Sequence, residues 1–316
     1  MSIERMEFSH RVWMTEMARR EGLPAGYVSD FLEFVLPLVR GVSQIRERLG
    51  RPVIVGISGA QGAGKSTLAA FIREWLMREN GLAALNLTLD DFYLAKEERS
   101  RLAREVHPLF ATRGVPGTHD GAFALSVMEQ LIRPTSPSIP IPAFDKATDD
   151  RRPEDEWPVV ESPADVVLFE GWCVGAKPQG ADRLVAPLNP LESKEDPDGS
   201  WRRYVNERLG GDYRALFAKL DALVMLRVPS FGKVREWRGL QEDGLRSRSR
   251  ASADSRPPRA GQSRAELDRF ILHFERLTRH MLDTMPRYAD AVLPLNNAHR
   301  IIGLVCRAGG CFANLD

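Results

Sequence analysis

The apolar residues of this chain change rhythm at Pro52. Before it, Phe31, Phe34, Val35, Leu38, Val39, Val42 and Ile45 recur at a 3.6-residue period, which predicts a helical N-terminal extension over residues 1–50. Ser29 and Asp30 are suited to cap the start of that helix, and Pro37 should kink it or divide it in two. After Pro52, Val53-Ile54-Val55-Gly56-Ile57 is a continuous, largely β-branched run, as expected for a strand buried on both faces. Leu85–Leu89, Val166–Phe169, Leu223–Leu226 and Ala291–Leu293 repeat that signature. Helical stretches lie between the strands: Lys65–Arg78, ended by Gly81, then Trp201–Leu220, Phe231–Leu245 and Ala265–Met281. Strands alternating with helices predict an α/β domain over 51–316, with a mainly parallel sheet covered by helices on both faces.

Two segments break the pattern. Residues 134–163 are rich in Pro and acidic residues and predict a loop or small excursion. Residues 246–263, RSRSRASADSRPPRAGQS, are poor in apolar side chains and predict a mobile surface loop. The chain is 43% hydrophobic and 28% charged, enough apolar material for a sizeable core. Its 44 Lys and Arg against 43 Asp and Glu give a net charge of +1. That balance offers no whole-molecule attraction to nucleic acid or an anionic membrane, so neither is expected as a partner, and any phosphate must be bound by a local site. The three cysteines, Cys173, Cys306 and Cys311, form no CxxC pair and suit a reducing cytosol. Glu4, Arg5 and Glu7 stand where a secretory signal would be apolar, so a cytoplasmic protein is expected. Neither Cys306 nor Cys311 carries an assignable function, and the sequence leaves the oligomeric state open.

The chemistry begins after the first strand. Gly59-Ala60-Gln61-Gly62-Ala63-Gly64-Lys65-Ser66 satisfies G-x-x-x-x-G-K-[ST] in full, and Thr67 extends it. Glycines let backbone N–H groups turn inward around phosphate oxygens, and a helix starting near Lys65 adds the partial positive charge of its N-terminus. Lys65 would bring a full charge to the β- and γ-phosphates of ATP, and the Ser66 hydroxyl would reach Mg2+. A buried strand before the motif and an amphipathic helix after it are the context a P-loop requires.

Two further acids follow strands. The second strand runs into Thr88-Leu89-Asp90-Asp91-Phe92-Tyr93. The carboxyl ends of neighbouring strands in such a sheet face one crevice, so Asp90 would lie near the γ-phosphate. There it would accept the proton of an attacking hydroxyl or hold magnesium through water. Asp91 reads either as a site residue or as a cap for the following helix. The third strand ends in Glu170, the Walker B arrangement for holding the magnesium water shell.

GAQGAGKST, LDDFYL, EVHPLFATRGVPGTHD, IPAFDKATDDRRP and VVLFEGW together resemble the D-glycerate 3-kinase family, within the group of uridine kinase, phosphoribulokinase and pantothenate kinase. The resemblance covers about residues 52–245 and continues more loosely to about 295. It implies the P-loop NTPase fold and a kinase that moves the γ-phosphate of ATP to a hydroxyl of a small polar molecule, D-glycerate foremost. It implies Asp90 as the catalytic acid–base residue, with Lys65 on the phosphates and Ser66 and Glu170 at the metal. His107, Arg113, Thr118, His119 and Asp120 would form the acceptor-side wall, with Asp91, Tyr93, Phe144, Asp145 and Arg152 also lining the pocket. Arg235 and Arg238, in VREWRGLQE, resemble the arginines of a lid, placed here at about 228–264. Arg113 and Arg152 would suit a carboxylate on the acceptor, because a guanidinium binds one bidentately.

Other functions remain compatible with the residues. A nucleoside such as uridine could stack on Phe92, Tyr93 or Phe144, and pantothenate is a further acceptor of the same group. A nucleotide-binding regulator that has lost transfer would keep the same P-loop. The arginines of 246–263 could bind RNA. No N-K-x-D guanine-reading segment and no L-S-G-G-Q is present, which argues against a GTPase switch and a transporter ATPase.

Overall fold

The computed structural model describes residues 3–133, 137–161, 163–239 and 264–313. The segment 246–263 and the predicted helical residues 240–245 lie outside them. Three helices open the chain: α1 (Ile3–Arg20), α2 (Tyr27–Asp30) and α3 (Leu36–Leu49). A π-helical turn over Phe31–Val35 joins the last two. Ser29 and Asp30 are not caps: the helix starts a few residues earlier, at Gly26, which adopts a φ of 91°. Asp30 instead forms an ion pair with Arg300. Pro37 stands in the first turn of α3, and the π turn just before it divides α3 from α2. The proline ring has no N–H to give and crowds the carbonyl four residues back. The π turn absorbs this, with Leu36 donating to Phe31 O five residues behind it.

The central sheet has six strands in the order β10-β9-β8-β1-β7-β2. Their ranges are β1 (Val53–Gly59), β2 (Ala84–Thr88), β7 (Val166–Gly171), β8 (Ala222–Arg227), β9 (Ala291–Pro294) and β10 (Val305–Cys306). All pairings are parallel except β9 with β10 at one edge. Between them run α4 (Lys65–Glu79), α5 (Lys96–Glu105), α6 (Gly121–Leu131), α7 (Pro190–Glu195), α8 (Ser200–Gly210), α9 (Asp212–Phe217), α10 (231–239) and α11 (Arg264–Thr284). The single helix expected over 201–220 is two, because Gly210 and Gly211 interrupt it and Gly211 leaves helical geometry. The excursion over 134–163 carries two small antiparallel pairs: β3 (Ser138–Pro140) with β6 (Val159–Glu161), and β4 (Phe144–Asp145) with β5 (Asp150–Arg151).

Strand alternation sorts the core into two layers. Val53, Val55 and Ile57 of β1, Val166 and Leu168 of β7, and Val224 and Leu226 of β8 pack toward α3 and α4. Ile54, Val167, Phe169, Leu223 and Met225 pack toward α6, α9 and the second half of α11. Continuous apolar strands are what burial on both faces demands. The N-terminal helices share the first layer: Phe31 and Tyr27 meet Phe71 of α4 with ring centroids 5.8 and 5.0 Å apart. These helices therefore buttress the helix that carries the phosphate loop. No helix of the described residues is long and apolar enough to cross a membrane.

Candidate active site

The sheet register gathers the sequence's chemical signals. On β7, Glu170 is level with Ile57 of β1 on one side and Thr88 of β2 on the other. The loop after β1, the turn after β2 and Glu170 thus share one edge of the sheet. Residues 59–64 wrap from β1 into α4, and Gly62 and Gly64 adopt φ of 77° and 90°. Side chains are strained in that region, which accounts for glycine at both positions. Ala60 and Ala63 are buried beneath the loop, and the Gln61 Oε1 atom is buried with no partner. Lys65 Nζ donates to Ala60 O at 3.3 Å across the same loop. Ser66 Oγ donates to Glu170 Oε1 at 2.6 Å, and Glu170 is buried. Thr67 follows in the first turn of α4. Inward-turned amides, a helix N-terminus, one ammonium, and a hydroxyl beside a carboxylate suit a polyphosphate with a hard divalent cation.

Asp90 lies in a 3-10 turn over Leu89–Phe92, directly after β2. Its two oxygens have different partners. Tyr93 Oη donates to Oδ1 at 3.1 Å, and Lys146 Nζ donates to Oδ2 at 2.6 Å. Burial would push the carboxyl up, but the ammonium of Lys146, helped by that of Lys65, holds it below its ordinary value. It is therefore ionised at neutral pH. Tyr93 is buried and stacked on His119 at 4.3 Å, with Phe144 edge-on at 5.1 Å. His119 Nδ1 lies 2.6 Å from Tyr213 Oη, and burial brings its pKa down to about 3, so the ring is neutral. Its Nε2 is buried without a partner.

Asp91 does not cap the next helix. Its Oδ1 accepts from Phe144 N at 3.2 Å, tying the β2 turn to β4, and α5 is closed instead by Glu98 accepting from Ala95 N at 2.8 Å. Burial, reinforced by Asp90 and Glu170, pushes Asp91 up to about 6 despite the Phe144 N–H.

The remaining acceptor-side candidates divide between pocket and scaffold. Phe144 is buried against Tyr93, and Arg113 lies over its ring at 5.4 Å. The Arg113 guanidinium is bonded to Asp149, as is that of the buried Arg99. Thr118 accepts from Gly114 N at 2.9 Å and donates to Val115 O at 2.8 Å, closing the 114–118 turn. Asp120 caps α6 by accepting from Phe123 N at 2.9 Å. His107 accepts from Leu109 N at 3.2 Å at the start of another 3-10 turn. Asp145 accepts from Ala147 N at 2.7 Å and shapes the β4–β5 turn. Arg152 is exposed and contributes its backbone, donating to Ala143 O at 2.8 Å and accepting from Trp157 Nε1 at 2.9 Å.

Helix α10 lies over the phosphate loop: a methyl group added at Gly62 would come within 3.3 Å of Trp237 Cβ. Arg235 on this helix bonds Asp268 of α11 through Nε at 2.7 Å. Arg238 N is 3.7 Å from that same Gly62 position. The Trp237 ring stacks on His299, with centroids 4.1 Å apart and planes 8° from parallel. His299 itself touches the backbone of Gly62 and Ala63. Sequence reasoning missed Lys146, Tyr213, Trp237 and His299. Lys146 stood inside the quoted IPAFDKATDDRRP segment and Trp237 inside VREWRGLQE, but Tyr213 and His299 carry no local signal, since their partners are distant in the chain.

Comparison with known proteins follows the same lines. No protein-family model matches the chain. Over 256 residues it is 33% identical to the uncharacterized kinase mug58 of Schizosaccharomyces pombe, covering 78% of this chain and 84% of that one. Over 232 residues it is 30% identical to the chloroplastic D-glycerate 3-kinase of Arabidopsis thaliana. That alignment takes in 71% of this chain and 46% of the plant protein, so the chain spans about half that relative's length. The solved D-glycerate 3-kinase of Cryptococcus neoformans var. grubii shares the fold, with a TM-score of 0.69 at 22% identity over 86% of this chain and 98% of the other.

Proposed function

The chain belongs to the D-glycerate 3-kinase family of P-loop kinases, and from that premise we propose that it transfers the γ-phosphate of ATP to a hydroxyl of D-glycerate. The observation that carries the reading is the proximity of two groups from separate strands. Ser66, beside Lys65 on the phosphate loop, donates to Glu170 at 2.6 Å, and Glu170 is level with Thr88, two residues before Asp90. A phosphate-binding ammonium and an ionised acid sharing one crevice are what an in-line transfer to a hydroxyl needs.

In this reading the residues 59–64 and the α4 N-terminus cradle the phosphates, and Lys65 neutralises charge on the β- and γ-groups. Ser66 and Glu170 would hold Mg2+, which when bound would offset the remaining phosphate charge. No cluster of three or more His, Cys, Asp or Glu side chains suited to a metal occurs among the described residues. Magnesium commonly binds through one or two protein ligands with phosphate oxygens and water. Asp90 accepts the proton of the acceptor hydroxyl as its oxygen bonds to the γ-phosphorus, and the bond to the β–γ bridging oxygen breaks to release ADP. Helix α10, with Arg235 and Arg238, covers the loop and excludes water from the transferred group. Arg113, Phe144 and His119 shape the acceptor side.

The test is ADP release from MgATP with D-glycerate, uridine and pantothenate offered separately, and Asp90→Asn run beside the wild type. D-Glycerate alone should stimulate release, and Asp90→Asn should lower its turnover by roughly 10²–10⁴, the range for a lost general base. Stimulation by uridine or pantothenate instead would reassign the acceptor. Near-normal turnover by Asp90→Asn would remove Asp90 from the role of base.

A further inference from the structure

Lys146 occupies an oxygen that the transfer reaction needs. Asp90 Oδ1 accepts from Tyr93 and Oδ2 from Lys146, so an acceptor hydroxyl must reach one of these oxygens past the donor already on it. A base must come within hydrogen-bond reach of the proton it removes, so one partner has to make room for the hydroxyl. The two differ in their freedom to do so. Tyr93 is 4% exposed and fixed between His119 and Phe144. The Lys146 side chain is 58% exposed, in the turn between β4 and β5, on a flexible four-carbon stem. Oδ2 is therefore the oxygen that is released, and Lys146 is the group that moves.

An exposed ammonium leaves a carboxylate most readily for a second carboxylate, which keeps a charge-assisted hydrogen bond in place. A neutral alcohol offers none. A hydroxy acid carries a carboxylate of its own. Arg113 and Arg99, the cations beside Phe144, are already bonded to Asp149. We propose that Lys146 is the residue that selects an anionic acceptor: it shields Asp90 until the carboxylate of the incoming hydroxy acid takes its ammonium, and that exchange opens Oδ2 to the hydroxyl. This rests on the D-glycerate reading above. Charge pairing is kept throughout, since the ammonium passes from one carboxylate to another. Lys146 neither gains nor loses a proton. The hydroxyl proton goes to Asp90 Oδ2 as the new O–P bond forms.

The experiment compares D-glycerate with glycerol, which replaces the carboxylate by a neutral CH2OH, in wild type, Lys146→Ala and Lys146→Arg. In Lys146→Ala, kcat/KM for D-glycerate should fall roughly 10- to 100-fold, the loss of one charge-assisted hydrogen bond, and mainly through KM. Glycerol turnover should hold or rise, because the shield is gone, so the preference for the acid collapses. Lys146→Arg should recover much of the D-glycerate activity. An equal fall for both acceptors would make Lys146 a partner of Asp90 alone and overturn the proposal, as would an unchanged preference. A wild type that uses D-glycerate no better than uridine or pantothenate would sink the functional reading first, and this proposal with it.

Discussion

Asp91 is a carboxylate placed where ionisation is disfavoured, and replacing it tests the electrostatics of the turn after β2. Its pKa stands at about 6 against an ordinary value of 3.8, with burial as the main cause. The folded protein therefore keeps a proton that the unfolded chain loses between about pH 4 and pH 6. Stability contributed by this group is present below pH 4 and declines as pH rises through 6. A gap of about two units, at 1.36 kcal/mol each, makes ionised Asp91 a burden of about 3 kcal/mol at pH 8. Asp91→Asn keeps an oxygen to accept from Phe144 N and removes the charge. It should raise the unfolding free energy by up to about 3 kcal/mol at pH 8, and by about half that at pH 5. Urea unfolding of both proteins at the two pH values, without nucleotide, reads the difference directly. A variant less stable than wild type at pH 8, or a difference that does not change with pH, would refute the argument. The first outcome would mean that the Phe144 N–H needs a full charge, and the second that Asp91 titrates normally.

Two further substitutions probe the parts around the phosphate loop. Phe71→Ala removes a fully buried ring that meets Tyr27 and Phe31. It should cost about 3–5 kcal/mol, seen as a lower urea midpoint with an unchanged slope. A loss under about 1 kcal/mol would show that the N-terminal helices do not depend on α4. Trp237→Ala removes the ring stacked on His299 above Gly62. Nucleotide affinity should fall about 2- to 10-fold, the worth of one aromatic pair, in a fluorescent-ADP titration. The KM for the acceptor should stay in place, and a loss confined to the acceptor would put α10 on the wrong side of the site.

The nucleotide half of the site was legible because it is local in sequence. A buried strand, a glycine turn and a helix follow one another within Val53–Glu79, and each leaves a periodic or compositional mark. Asp90 and Glu170 were legible as acids ending apolar runs, and the register confirms that both runs end at the same edge. The helix starts were less legible. A cap reading favours Ser29 and Asp30, but Asp30 is bonded to Arg300, a residue 270 positions away. The split between α8 and α9 was written in Gly210-Gly211, and the apolar period running across it hid the break. Lys146 and His299 were not singled out, because what marks them is contact with residues distant in the chain: Lys146 with Asp90, and His299 with Trp237 and the backbone of Gly62 and Ala63.

That division has a consequence for how the acceptor is chosen. The two loops facing Asp90, over 107–120 and 141–152, are tied to the scaffold at many points. Leu94 N donates to Thr118 O at 2.9 Å, Asp120 N to Phe92 O at 2.8 Å, and Trp172 Nε1 to Gly114 O at 2.8 Å. Lys96 N donates to Asp150 Oδ1 at 2.8 Å, and Arg151 Nη2 to Tyr93 O at 2.9 Å. Backbone held this way does not remodel to suit a ligand without breaking several of these bonds at once. Selectivity on such a wall must come from side chains that can still move. Arg113 is bonded to Asp149, and Tyr93 is packed on both faces. The exposed ammonium of Lys146 is the mobile charge beside Asp90. Acceptor preference should then change by substitution at that turn, with the phosphate loop and the sheet beneath it undisturbed.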